Sequence, residues 1–141
     1  MVLYQDIAKA VTMVIKGVFP NIPIYADEVR EGYKTPSFFV GIMPVSSINH
    51  TKSIKEEQLL ITVSYFSHTT ERLKNYKVMQ ELKVDFGQVL SVDNRRFTIE
   101  EMNTEKVGED GDIYQLTFDI NYYELASTDS GSELARKIIY K

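Results

Sequence analysis

Apolar residues near the start of the chain recur with a helical period. Leu3, Ile7, Ala10, Val11, Val14, Ile15 and Val18 fall on one stripe, with Gln5, Asp6, Lys9, Thr12 and Lys16 between them. The pattern predicts an amphipathic helix with one face to bury. Gly17 and Pro20 are expected to end it, glycine by permitting positive φ and proline by rejecting helix in the residue before it. Pro23 keeps the next residues extended. Ile22, Ile24 and Tyr25 therefore read as a short strand, placed at a sheet edge because proline cannot donate to a ladder. Residues 31–36 form a turn-rich connection, where Gly32 tolerates a left-handed backbone and Pro36 forces Thr35 to be extended.

Residues 38–43 are almost continuously apolar, as in a strand covered on both faces. After Pro44 the character changes, and residues 45–57 are polar, with Asn49, His50, Lys52, Lys55, Glu56 and Glu57. Leu59, Ile61, Val63 and Tyr65 then alternate with Leu60, Thr62, Ser64 and Phe66. The two runs predict a long hairpin whose distal half has no apolar face of its own. Such an arm is expected to project from the body and to be mobile in a free subunit. Thr69 or Thr70 can cap a second helix, with Glu71 in its first turn. Leu73, Tyr76, Met79, Leu82, Phe86 and Val89 are its expected buried stripe, and Gly87 either ends it or sits in its last turn.

Residues 96–107 read as one strand of weaker alternation, carrying Phe97, Ile99 and Val107. A charged turn at 108–112 follows. Tyr114, Leu116, Phe118, Ile120 and Tyr122 then alternate with Gln115, Thr117, Asp119 and Asn121, the clearest strand pattern in the chain. The order helix, strands, helix, strands predicts an α+β fold. A mainly antiparallel sheet of about four or five strands would have two helices packed on one face. The expected core is Ile7, Val14, Phe39, Ile61, Val63, Met79, Leu82, Leu116, Phe118 and Ile120. One domain over 1–125 is followed by an extension over 126–141, a linker (127–132) and then a stretch able to form a short helix with Leu134, Ile138 and Ile139.

Charge and composition narrow the function. The 141 residues suit one domain, and a net charge of −4 argues against a dedicated nucleic-acid binder. Cysteine is absent, so disulfides, thiolate metal sites and cysteine nucleophiles are excluded. Asp6 and Lys9 interrupt the start too early for a signal peptide, and no apolar run is long enough to cross a membrane. His50 and His68 are far apart in polar stretches, without ligand spacing. Glu100 and Glu101, read as strand neighbours, would point to opposite faces. Glu109, Asp110 and Asp112 lack the distal glutamate of a calcium loop. Gly108 and Gly111 precede no helix that could hold a phosphate. No catalytic residue, cofactor site or metal site is expected.

Assembly is the remaining theme. Nine tyrosines supply rigid contact area with a polar tip. Tyr33, Tyr122, Tyr123 and Tyr140 are candidates for contact, though most tyrosines of a half-buried sheet serve its core. Arg136, Lys137 and Lys141 make the end of an acidic chain locally basic, which suits either a docking tail or a frayed terminus.

Several strings carry a family resemblance. They are Val18-Phe19-Pro20 closing the first helix, Ile22-Pro23-Ile24-Tyr25, and EGYKTPSFFV over 31–40. LITVSYF over 60–66, the helix over 73–86 and the strand over 114–123 complete the set. With these features residues 1–125 resemble the small tail terminators of prophages and contractile-tail particles of Gram-positive bacteria. The resemblance implies an α+β subunit that closes into a hexameric ring on the finished tail tube and stops its polymerisation. The implied partners are further copies of the chain and the tube protein, with sheath and head-connector proteins as additional candidates. DNA would pass through without specific binding, repelled by an acidic lumen, and no membrane is involved. The place would be a virion or phage-tail-like particle assembled in the host cytoplasm. Candidate interface residues are Tyr33, Lys34, Asn49, His50, Lys52, Lys55, Tyr123, Arg136 and Lys137. A neck or head-completion protein contacting the portal complex, and a monomeric peptide-binding domain using a sheet edge, stand as alternatives.

Overall fold

Three strands of thirteen residues set the architecture. A computed structural model describes residues 1–26, 34–107 and 113–125. In chain order the elements are α1 (Tyr4–Val18), β1 (Ile24–Ala26), β2 (Ser37–Asn49), β3 (Ile54–Phe66), α2 (Arg72–Phe86), β4 (Val89–Val92), β5 (Arg95–Thr98), β6 (Met102–Val107) and β7 (Ile113–Leu125). The main sheet has the order β1-β2-β3-β7-β6, and β4 pairs with β5 in a separate two-stranded sheet. β1 runs parallel to β2, and the other pairs are antiparallel.

Register explains the burial. Leu59, Ile61, Val63 and Tyr65 lie opposite Ile120, Phe118, Leu116 and Tyr114, so all eight share one face. Ile7, Val11 and Ile15 of α1 and Met79, Leu82 and Phe86 of α2 pack against that face in a single core. The fold is therefore the α+β arrangement expected, with both helices on one face of a mainly antiparallel sheet. Of the expected core, Val14 is only partly buried; the other nine residues are buried.

The differences lie in the short elements. Gly17 sits inside α1, which continues to Val18 and closes with the Phe19 N–H donating to the Ile15 carbonyl at 2.8 Å. The α2 stripe is shifted. Asn75, Met79, Leu82 and Phe86 are buried, whereas Leu73 and Tyr76 are exposed and Val89 belongs to β4. A buried polar knot causes the shift. The Ser67 hydroxyl donates to Asn75 Oδ1 at 2.6 Å, and Asn75 Nδ2 donates to the Thr69 carbonyl at 3.0 Å. Gly87 ends the helix at φ +62. Residues 96–107 are two strands in different sheets, because the chain crosses from the helix side to the sheet edge at 99–101.

Strand β2 is covered on both faces only at its start. Phe39 is buried on the helix-free face, its ring 5.4 Å from Tyr25 and 4.6 Å from Phe66. The Thr35–Pro36 peptide that leads into it is cis. Met43 is already exposed, and a bulge follows between Pro44 and Ser46. The distal half of the hairpin is not a two-stranded arm. β7 pairs with β3 as far as Leu125 opposite Ile54, so the far end is a three-stranded corner of the same sheet.

Candidate functional site

The turn between β2 and β3 is held locally. The Thr51 hydroxyl accepts from the Ser53 and Ile54 N–H groups at 3.1 and 3.0 Å, and the His50 N–H donates to the Ile54 carbonyl at 2.9 Å. β7 ends beside this turn. Asn49, His50, Lys52, Lys55 and Tyr123 are thereby gathered at one end of the molecule. Lys34 stands near the opposite end of β2, its backbone N–H donating to the Tyr25 hydroxyl at 3.3 Å. Tyr33, Arg136 and Lys137 lie outside the described residues.

The gathered residues divide between two faces. On the helix-free face, Ile48 lies opposite Glu56 and Glu56 opposite Tyr123, while Ile54 lies opposite Leu125. His50 Nε2 is 2.8 Å from Glu56 Oε1, and its ring centroid is 5.8 Å from that of Tyr123. Ile48, Ile54, Tyr123 and Leu125 are all exposed, Tyr123 by 60% and Leu125 by 81%. Sequence reading picked the polar members and Tyr123 but missed Ile48, Ile54 and Leu125. Only the strand register shows that these four side chains share a face.

On the helix side the far end is pinned by buried charge. Glu57 is 3% exposed. It accepts from Ser47 Oγ at 2.7 Å and from the Tyr4 hydroxyl at 3.1 Å, and Lys55 Nζ lies 3.4 Å away. Burial alone would raise the Glu57 carboxyl, but the bonds from Ser47, Tyr4 and Lys55 outweigh it and hold its pKa below the usual range. Glu124 accepts from the Val2 N–H at 2.7 Å and faces Arg95 Nη1 at 3.9 Å. Arg95 also donates to the Tyr123 carbonyl at 3.1 Å and lies over the Phe97 and Tyr122 rings. Burial, then the charges of Glu124 and Glu57, push the Tyr122 phenol up to about 12. These contacts tie the start of α1 and strand β5 to the strand ends. The expected projecting, mobile arm is replaced by an anchored corner.

Little elsewhere suggests chemistry. A groove of about 370 Å3 along the β7 edge is lined by Thr98, Glu100, Glu101, Asp119 and Asn121. Glu100 and Glu101 lie in the link between β5 and β6, not on a strand, and both line this groove, contrary to the sequence reading. A second groove of about 450 Å3 separates α1 from the β4–β5 turn. His50 and His68 sit beyond opposite ends of β3. Among the described residues no group of three or more His, Cys, Asp or Glu could hold a metal ion. The acidic turn at 108–112 lies outside them.

Known proteins supply the context. No curated protein matches the chain. Among solved structures, one aligns with 89% of this chain and 97% of its own length, at 13% identity and a TM-score of 0.51. A chain from the virion of a native gene transfer agent particle aligns over 84% of this chain and 94% of its own, at 12% identity and a TM-score of 0.51. At such identities the likeness is one of fold. The family described as phage tail terminator protein matches residues 6–132, nearly the whole sequence, including all but the first few residues of the described core. The chain belongs to the phage tail terminator protein family, and its role is structural, in the phage tail.

Proposed function

We propose that the chain forms a hexameric ring on the head-proximal end of the tail tube and stops tube polymerisation there. The family match over residues 6–132 is the observation that carries this reading. The anchored corner supports it, because it presents a stiff surface of Ile48, Ile54, Tyr123 and Leu125 with His50 and Lys52 at the rim. A head-to-tail contact of such a surface with a different patch on the next copy closes when its rotation returns to the start, and six copies suit a sixfold tube. The remaining candidates, Tyr33, Lys34, Asn49, Lys55, Arg136 and Lys137, belong to the same reading as contacts to neighbours and to the tube. Residues 1–125 serve as one domain and 126–141 as an extension. Tube protein is the first partner, sheath and head connector are further ones, and DNA passes the ring without specific binding. Assembly takes place in the host cytoplasm, and the chain works without catalysis.

The test is tube growth. Purified chain added to polymerising tube protein is expected to arrest elongation when present at about one ring per tube end, with no effect on tubes at sub-stoichiometric doses. Elongation at an unchanged rate with excess chain present refutes the reading.

A further inference from the structure

Helix α2 is apolar on two sides. Asn75, Met79, Leu82 and Phe86 face the core, while Leu73 and Val84 are exposed by 82% and 76%. Leu73, Lys77, Gln80 and Val84 recur at i, i+4, i+7 and i+11, so they form one outward stripe about 16 Å long, turned away from the sheet. A depression of about 380 Å3 opens beside Val84, lined by Val18, Lys77, Gln80, Glu81, Val84 and Asp85. At the far end of the helix-free face, Ile48, Ile54, Tyr123 and Leu125 form another exposed apolar surface. From the Ile54–Leu125 row to the Leu60–Asp119 row this surface runs about 20 Å along β3. Stripe and patch lie on opposite sides of the sheet, so one chain cannot close them on each other. Grouped apolar side chains left in water mark contact surfaces.

We propose that the outer stripe of α2 on one copy takes the far-end patch of the next copy. The contact deepens the ring reading above and rests on it only for the number of copies and their place on the tube. Shape agrees with it. Stripe and patch are of similar length, and the exposed Leu125 and Ile54 at the strand ends fit the depression beside Val84. Charge sets the direction. Arg72, Lys74 and Lys77 outnumber Glu71 at the Leu73 end of the stripe, and Glu81 and Asp85 outnumber Lys83 at the Val84 end. On the patch, Lys52 stands in the turn beside Ile54, and Glu56 and Asp119 stand further in on the same face. With Val84 against the turn, basic meets acidic along the whole contact, which fixes register more than it adds affinity. Each surface meets an unlike one, so every copy uses both, as a head-to-tail ring requires.

Absence of native cysteine makes the test clean. Full-length Val84→Cys and Leu125→Cys chains are mixed at high micromolar concentration and oxidised mildly, with and without tube ends, and the products are resolved by non-reducing gel and intact mass. A disulfide joining the two chains is expected. It should form at least about tenfold faster than one joining Leu125→Cys to Met13→Cys, an exposed position on α1. Equal rates for the two pairs overturn the proposal. Faster joining among Leu125→Cys chains alone overturns it too, because the patch would then take a second patch. Lys77→Glu or Glu56→Lys, placed in both thiol chains, should slow the reaction about threefold. The two reversals together should restore it, since each reversed charge again meets an opposite one. No recovery in the double reversal overturns the pairing. Chains that arrest tubes while their thiols stay unjoined at the tube end sink this contact and leave the ring reading standing. Chains that join in this way yet never arrest a tube uphold the contact and sink the ring reading.

Discussion

Glu57 shows what a single side chain contributes to the far end of the sheet. It sits in a polar run that sequence reading assigned to solvent, yet it is buried and accepts hydrogen bonds from β2 and from α1. Nothing in the run 45–57 marks it, because its burial depends on Tyr4, which is distant in sequence. Its folded-state pKa is lowered from 4.5. The charge therefore adds stability that is complete above the unfolded value and is lost as pH falls through the folded one. Glu57→Gln should lower stability by about 1.5–3 kcal/mol near neutral pH, the usual worth of hydrogen bonds to a charged group. The gap to the parent should shrink below about pH 4.5, as read by urea unfolding from pH 7 to 3. Tyr122 acts in the opposite range. Its neutral phenol is favoured in the fold, so stability is complete below pH 10.0 and falls as pH rises toward about 12. The difference in tyrosinate absorbance between the parent and Tyr122→Phe should show one group titrating near 12, and a difference centred on 10 would contradict the buried placement.

At the scale of elements, the long periodic segments were legible and the short ones were not. Helix α1 and strands β3 and β7 carry runs long enough to separate a period of 3.6 from one of two, and β2 shows as a continuous apolar run at its start. Strands β4 and β5 are four residues each. Val89 continued the helical count past Gly87, and Phe97 and Ile99 continued a strand count into β6. The two-stranded unit was thus invisible although Leu90, Val92 and Phe97 are core residues. The site was legible only as a list of polar residues in a hairpin tip. Its apolar half needed the register with β7. Two variants test the short elements. Gly87 has φ +62 and ψ −130, a region nearly closed to residues with a Cβ, while an added Cβ would meet only ordinary contact with the Val84 carbonyl at 3.7 Å. Gly87→Ala should therefore cost about 1–3 kcal/mol through the backbone alone. Phe97 packs 4.9 Å from Tyr122 and beneath Arg95. Phe97→Ala should cost about 3–5 kcal/mol and speed hydrogen exchange at the β7 end, because Arg95 loses its platform. A loss below about 1 kcal/mol would show that the β4–β5 pair is not part of the cooperative core.

The whole molecule presents two unlike ends on one sheet. Near β1 the helix-free face is closed by Tyr25, Phe39 and Phe66, whereas at the far end it is open and apolar. The far end is stiffened from the helix side by Glu57, Arg95 and Glu124, so it can meet a partner without first ordering itself, which reduces the entropy cost of association. A subunit shaped in this way suits repeated contact around an axis. The proposed ring of six copies of 16.2 kDa would have a mass of about 97 kDa. Under the proposed ring reading the ring would not need to persist alone, because the tube end would template it and add contact to every subunit. Images of intact tails, with the chain located by a small fused tag, are expected to show one ring of six copies at the head-proximal end. Ile48→Glu with Tyr123→Glu should remove that ring while leaving the subunit folded, since both side chains are exposed in the free chain. Tails made with that variant should run past their normal length. Copies spread along the tube, or a ring at the baseplate, would refute termination even with the fold intact.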